Sequence, residues 1–158
     1  MIIRRALAKD FGDFYAINLQ VDTYHRLAVP SRFQTFEGDY ELFMFNRFTD
    51  LIANENCIFL VAAKEDSVLG YLIALKRPAP QYPILKPSKY ILIDNMGVHK
   101  NAQRQGIGSL LLQRIEVEAI EAGYSELELN VYCFNENAQK LYVKNDFKPL
   151  TKRMRKLL

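Results

Sequence analysis

A strand-like run that leads through a glycine-rich turn into an amphipathic helix most constrains what this chain can fold into. Residues 90–98 (YILIDNMGV) are typical of a strand, and residues 106–122 carry apolar side chains at every third or fourth position. That spacing predicts a helix with one buried face, which Gly123 ends. A further strand is predicted at Leu127–Cys133. Because a strand, a crossover helix and a second strand join parallel neighbours, we expect parallel pairing in this half of the chain.

The rest of the chain predicts a mixed sheet. Further strands are predicted at Ile2–Leu7, Cys57–Ala63, Val68–Leu75 and 147–157, and further helices at 9–25, 38–54 and 136–144. Residues 76–88 hold four of the six prolines, which exclude a helix or a central strand there and predict an ordered loop. The order β-α-α-β-β-β-α-β-α-β predicts an α/β fold, with a mixed sheet and helices on both faces. A length of 158 residues predicts a single domain, 1–158.

Composition excludes several classes of protein. Hydrophobic residues make up 49% of the chain and charged residues 25%, which excludes a disordered chain. No apolar run approaches the roughly 18 residues of a membrane span, and the first residues lack the apolar stretch of a signal peptide. The two cysteines and two histidines lie far apart, so no metal site is expected. These features predict a cytoplasmic protein with reduced thiols and no membrane partner.

The basic character of the chain is concentrated at its end. Residues 147–158 carry five lysines and arginines and no acid. Such a segment can bind nucleic acid or anionic lipid, or it can be the solvated face of a strand. We favour the strand face, because Leu150, Met154 and Leu157 would tie it to a core, and we expect no nucleic-acid partner.

The glycine-rich turn has the properties of an anion site. The start of a helix leaves N–H donors unpaired and carries a partial positive charge. Gly106 and Gly108 leave room for a phosphate at the backbone, and Lys100 and Arg104 add charge. A dinucleotide-binding fingerprint would need a third glycine where Leu111 stands, and the Lys-Ser/Thr pair of a Walker A loop is absent.

Two motifs resemble those of the GCN5-related N-acetyltransferases. Residues 103–108, QRQGIG, match that family's Q/R-x-x-G-x-G/A motif after a strand. The family's second motif, L-x-V…N-x-x-A-x-x-L-Y, is matched by Leu129, Val131, Asn135, Ala138, Leu141 and Tyr142. The resemblance covers residues 57–150, whereas residues 1–56 match only in layout.

The resemblance implies that the chain binds acetyl-coenzyme A between strands 90–98 and 127–133, which should splay apart. The backbone of Met96, Gly97 and Val98 would pair with the pantetheine arm, and Gly97 would suit a β-bulge. The pyrophosphate would be bound by backbone N–H groups of Gln103, Arg104, Gln105, Gly106, Ile107 and Gly108. Asn135 would contact the cofactor or, equally, cap the helix that follows.

The resemblance also implies catalytic roles. Tyr142 would be the general acid that faces the thioester sulfur, or else a core tyrosine. A tyrosine is a weaker acid than a thiol, so Tyr142 would need a lowered pKa or would act as a hydrogen-bond donor. An amine must lose a proton before attack, and Asp94 is the candidate base, with a structural carboxylate or a water chain as alternatives. Strand alternation predicts that Asp94 points as Met96 and Val98 do. The Val98 N–H would stabilise the oxyanion.

We therefore predict an acetyl-CoA-dependent N-acetyltransferase that acts on a primary amine of a small molecule or peptide by direct attack in a ternary complex. The alternative is a non-catalytic acyl-CoA-binding sensor. Asp146 stands where the family has a glycine before Phe147, and aspartate tolerates left-handed backbone geometry. The chain leaves room for one terminal strand where many members have two, so an exposed edge motivates a homodimer hypothesis.

Overall fold

The computed structural model, which describes residues 1–86 and 88–157, contains one five-stranded sheet. The strands are β1 (Ile2–Arg5), β2 (Cys57–Lys64), β3 (Ser67–Arg77), β4 (Tyr90–Val98) and β5 (Glu126–Leu129), and they lie side by side in that order. β1 to β4 pair antiparallel, whereas β4 and β5 pair parallel. The predicted mixed sheet, with parallel pairing in the second half, is confirmed.

Helices cover both faces of this sheet, as predicted. The helices are α1 (Phe11–Ala28), α2 (Tyr40–Ala53), α3 (Ile107–Glu121) and α4 (Glu136–Lys144). One core cluster joins α1 and α2 to the sheet through Phe14, Met44 and Phe48. The other joins α3 to the opposite face through Ile107, Leu111, Leu112, Ile115 and Ala119, and Leu141 and Tyr142 of α4 pack against it. The strands alternate side chains between the two clusters, which fixes the register.

The predicted strand at 147–157 is wrong. Residues 147–157 form no helix or strand, and Leu150, Met154 and Leu157 are 70–83% exposed. A terminal strand would need a long neighbour with free backbone groups, but β5 is only four residues long and ends at Leu129 instead of the predicted Cys133. Pro149 removes one donor, and the concentrated positive charge favours solvent. Cys133 is therefore exposed, whereas Cys57 is buried, and both are free.

One further expectation changes with that strand. The homodimer hypothesis no longer rests on a terminal strand, because β5 is the edge strand of the sheet; it stays a hypothesis, which a solution mass of only 18.3 kDa would contradict. Pro87 of the predicted proline loop and Leu158 of the basic segment lie outside the described residues. Within residues 1–86 and 88–157, no helix has both the length and the apolar character needed to cross a bilayer.

The β-bulge of β4 lies at Asp94 and not at Gly97. Ile73 of β3 faces Asn95 and Ala74 faces Ile93, so Asp94 is the extra residue, whereas Gly97 stands in regular register with Tyr71. A bulge places two successive side chains on one side. Asp94 accordingly approaches Arg47 of α2.

The bulge overturns the predicted orientation of Asp94. Asn95 hydrogen-bonds to Asn18 of α1, so Asp94 and Asn95 both face the α1/α2 side of the sheet. Met96 and Val98 pack against the cluster on the α3 side. Asp94 therefore points to the opposite face from Met96 and Val98.

Gly97 is required because α1 lies directly on β4. A Cβ atom at Gly97 would come within 2.8 Å of Tyr71 Cε1, 2.9 Å of Ile17 Cγ2 and 3.0 Å of Val21 Cγ2. These three side chains belong to β3 and α1, and Tyr71 and Ile17 are fully buried. Any side chain at this position would push the helix away from the strand.

Gly97→Ala should destabilise the fold by about 1–3 kcal/mol through overpacking. The measurement is the free energy of unfolding in urea. Gly12→Ala is the matched control, because Gly12 lies in α1 and an added Cβ there would meet no atom within 4 Å, so this change should leave stability unchanged or raise it. Equal stability of the two variants would contradict the close approach of α1.

Candidate active site

The pairing of β4 with β5 stops halfway along β4. The last paired residues are Ile93 and Leu129. Beyond them, residues 95–98 remain paired with β3, while residues 130–133 leave the sheet and lead into the turn before α4. The two segments enclose an open wedge, as the splayed strands of the sequence prediction require.

Backbone groups of β4 face this wedge. The His99 N–H donates to the Leu69 carbonyl at 2.9 Å. Because antiparallel residues alternate in bonding to one neighbour, Met96 and Val98 direct their N–H and C=O groups away from β3. The Val98 carbonyl accepts from Gln20 Nε2 at 3.1 Å and from Gln103 Nε2 at 3.2 Å. The Val98 N–H and the polar groups of Met96 are left on the edge that β5 does not cover.

The loop at the wide end of the wedge presents unpaired donors. Arg104 (φ 62°) and Gly106 (φ 82°) are left-handed, a pattern that gathers successive N–H groups on one concave side. The first α-helical bond of α3 runs from the Leu110 N–H to the Gly106 carbonyl at 3.1 Å. The N–H groups of residues 107–109 therefore have no acceptor within the helix. Lys100 and Arg104 are exposed beside them, so the loop is suited to bind an anion.

The two glycines of this loop serve different purposes. At Gly106 a Cβ would meet no atom within 4 Å, and the left-handed backbone is what requires glycine. At Gly108 a Cβ would lie 2.8 Å from Leu141 Cδ2, so this glycine lets α4 approach α3. The structure thus gives Gly108 a packing reason beside the expected one, space for a phosphate, which stays a prediction; its N–H is one of the free donors.

Asn135 precedes α4, and Tyr142 lies within it and packs against the core cluster on the α3 side. Asn135 Oδ1 accepts the Ala138 N–H at 3.2 Å, so Asn135 caps α4. The Tyr142 ring packs edge-on against Phe147, with 5.8 Å between centroids. Asp146 adopts the left-handed conformation expected of it (φ 65°), and the Phe147 N–H bonds back to the Tyr142 carbonyl at 3.0 Å.

Burial decides how Tyr142 can act. Its surroundings raise the pKa of Tyr142 above the usual value because burial disfavours the phenolate. Its hydroxyl makes no hydrogen bond to any residue that the structure describes. Of the two routes, a lowered pKa and a neutral hydrogen-bond donor, only the donor agrees with this environment.

Asp94 stands apart from the other expected residues. Loop 103–108, Met96, Val98 and α4 all border the α3 side of the wedge, where Leu141 joins α4 to Gly108. Asp94 lies on the α1/α2 side, 36% exposed, with Oδ2 3.6 Å from Arg47 Nη2. The expected residues thus border two opposite openings of one wedge.

A polar network that sequence reasoning missed lies on the α1/α2 side. Asp22 Oδ2 accepts from Asn18 Nδ2 at 2.8 Å and from the Tyr40 hydroxyl at 2.5 Å. The buried Tyr71 hydroxyl lies 3.0 Å from Asn18 Oδ1 and 3.1 Å from Asn95 Oδ1, between the two acceptors. Burial raises the pKa of Tyr71 and of Tyr40, and the Asp22 carboxylate adds to the rise at Tyr40. The sequence carried one signal for this network: Asn18 and Asp22 are polar residues four positions apart on the buried side of α1.

An aromatic cluster closes the far end of the same side. The His25 ring of α1 lies 5.2 Å from the Tyr132 ring, and Tyr24 lies 5.5 Å from Phe134. Tyr132 and Phe134 stack on each other at 5.2 Å. Burial lowers the pKa of His25, although the nearby Asp22 charge opposes this shift. Helix α1 therefore contacts both β4 and the segment that follows β5.

Comparison with known proteins identifies the family of this chain. The sequence profile of the acetyltransferase (GNAT) family matches residues 19–147. The chain belongs to this family, and the resemblance seen in the two motifs is confirmed.

Individual relatives show the same fold. YdgE, an uncharacterized N-acetyltransferase of Bacillus subtilis (strain 168), is 35% identical over 74 residues, which are 47% of either chain. The match thus spans about half the length of that relative. A tetramutant of the BH1408 protein from Bacillus halodurans has a TM-score of 0.91 at 24% identity, over 100% of both chains. The aminoglycoside N-acetyltransferase AAC(6')-Iy in complex with CoA has a TM-score of 0.73 at 11% identity, over 99% of this chain and 98% of that one.

Proposed function

We propose that this chain, as one domain, transfers the acetyl group of acetyl-CoA to a primary amine of a small molecule or peptide in a ternary complex. The observation that carries the proposal is the wedge between β4 and β5, which ends at the unpaired donors of loop 103–108. The CoA held by a neighbour of the same fold supports the choice of cofactor. Acetyl-CoA supplies an activated thioester carbonyl. The chain must position this carbonyl and bind the negative charge that develops on its oxygen. It must also accept a proton from the amine and present a proton to the leaving sulfur.

The residues of the wedge fit this cofactor. Pantetheine contains amides, and the free N–H and C=O groups of Met96 are suited to pair with them as a neighbouring strand would. The donors of residues 103–108, with Lys100 and Arg104, suit a pyrophosphate. The Val98 N–H would bind the thioester oxygen as negative charge develops there. Asn135 serves first as a cap, and its amide can also face the cofactor arm.

Tyr142 would donate a hydrogen bond from its hydroxyl to the leaving sulfur. Its raised pKa keeps the hydroxyl neutral, and the hydroxyl has no competing partner among the described residues. A neutral phenol stabilises a thiolate as a hydrogen-bond donor. Asp94, on the opposite side, would accept the amine proton directly or through water.

CoA and acetyl-CoA should raise the unfolding temperature of the protein. Ligand at 100 times its dissociation constant adds about 2.7 kcal/mol of stability. Gly106→Ala should shrink this shift, whereas Gly123→Ala is a matched control. Both glycines are left-handed, with nothing within 4 Å of an added Cβ, and they flank opposite ends of α3. Each substitution should itself destabilise the fold by about 1 kcal/mol. No shift of the wild-type protein at millimolar CoA would refute the proposed cofactor.

Tyr142→Phe should lower kcat by about a hundredfold or more, because removing one hydrogen-bond donor to a developing negative charge typically costs about 10²–10³-fold. The ring and its contact with Phe147 remain, so the thermal shift with CoA should be unchanged. Thiol release from acetyl-CoA in the presence of an amine measures the rate. Cofactor binding without turnover in the wild-type protein, over a broad amine panel, would favour the non-catalytic acyl-CoA sensor.

Asp94→Asn should lower kcat by about 10²-fold or more if Asp94 is the base. Arg47→Gln provides the control, since it breaks the same exposed ion pair and keeps the carboxylate. If Asp94 is instead a structural carboxylate that acts through its ion pair with Arg47, both variants should lose activity to the same extent. A loss of less than about tenfold in Asp94→Asn would favour the water chain instead.

A further inference from the structure

We infer that Asp22 binds the ammonium group of the acceptor amine. The inference rests on the proposed function, because it needs an acceptor that enters the wedge from the side opposite to the cofactor loop. It names a residue of α1, which neither of the two motifs includes.

Helix α1 extends from β4 to the segment that follows β5, and Asp22 lies between its contacts with these two borders of the wedge. Asn18 contacts Tyr71 and Asn95 on one side, and the His25 ring contacts Tyr132 of the segment after β5 on the other. Asn18, Asp22 and His25 are spaced i, i+4, i+7, so they share one face of the helix. Since its neighbours on that face reach the two borders of the wedge, Asp22 stands over the opening between them.

The carboxylate of Asp22 is held in place while one of its oxygens stays free. Oδ2 accepts both hydrogen bonds, from Asn18 and from Tyr40, and these donors come from α1 and α2. Asn18 is itself buried and held by Tyr71. Oδ1 accepts no hydrogen bond from the described part of the chain. A group fixed on rigid helices, with an open acceptor, is prepared for a ligand.

The charge of Asp22 is also left without a cation. Both donors to Oδ2 are neutral, and Asp22 forms no ion pair with any described residue, although Arg26 is one turn further along α1. Asp94, by contrast, is paired with Arg47. A half-buried carboxylate that only neutral donors hold attracts a cation strongly, because water screens it poorly. His25, which shares the Asp22 face of α1, contacts the rings of Tyr132 and Phe134, and these rings can further stabilise an ammonium group.

This arrangement predicts the charge of the acceptor. An acceptor with a primary ammonium group and no nearby carboxylate should be preferred, and one with an anionic group close to the amine should be rejected. A series of equal length tests this directly: 1,4-diaminobutane, 4-amino-1-butanol and 4-aminobutanoate carry decreasing net charge. We expect their affinities for the CoA-bound protein, measured by calorimetry, to fall in that order.

Asp22→Asn isolates the charge. The amide oxygen can replace Oδ2 and keep both hydrogen bonds, while an NH₂ group replaces the free Oδ1. This variant should bind 1,4-diaminobutane about ten- to a hundredfold more weakly, as expected for the loss of a hydrogen bond between charged groups. Asp50→Asn is the control for net charge, because Asp50 is an exposed carboxylate of α2, and it should bind as the wild-type protein does. The thermal shift with CoA should be the same in all three proteins.

The outcomes separate the two proposals. Failure of CoA to shift the wild-type protein overturns the proposed function and the inference with it. A normal CoA shift with equal binding of 1,4-diaminobutane to wild type and Asp22→Asn overturns only the inference. If Asp22→Asn fails to fold, the wild-type series decides alone: equal binding of the diamine and 4-aminobutanoate, or binding of neither, overturns the role of Asp22.

Discussion

The site depends on one interruption of backbone pairing. β4 and β5 are hydrogen-bonded only as far as Ile93 and Leu129, and the extra residue Asp94 breaks the register of β4 with β3 immediately afterwards. Backbone N–H and C=O groups that lose a strand partner are unfavourable unless another group binds them. Here they line an open wedge instead of a closed core, so an extended ligand with its own amides can take the place of the missing strand.

The bulge also determines which side chains of β4 face each opening of the wedge. With regular alternation, Asp94 would have shared the α3 side with Met96 and Val98. The extra residue turns Asp94 and Asn95 together toward α1 and α2, where Arg47 and Asn18 meet them. Gly97 then permits α1 to lie close enough for Gln20 to reach the Val98 carbonyl. A single inserted residue thus couples the backbone edge for the cofactor to the polar network on the other face.

Local patterns in the sequence were sufficient for most of the fold and for one half of the site. Helix α3, strand β4 and the loop between them follow from spacing and glycine placement within about twenty residues, and the structure confirms them. The bulge at Asp94 has no such signal, because it depends on how β3 aligns across the sheet. The strand at 147–157 was predicted from the basic and apolar residues of that segment, which say nothing about whether a neighbouring strand exists. The network around Asp22 joins residues up to 77 positions apart, so no local pattern could assemble it.

Electrostatics explain why two openings serve a two-substrate reaction better than one. The α3 side presents helix N–H groups, Lys100 and Arg104, and it attracts a polyanionic cofactor. The α1/α2 side presents the Asp22 carboxylate without a cation, and it attracts an ammonium group and repels phosphates. In the proposed function, each entrance would therefore disfavour the other substrate, and the two ligands would approach the same uncovered edge of β4 from opposite faces. Since a direct transfer requires both to be bound at once, this separation lets the second substrate enter while the first is in place.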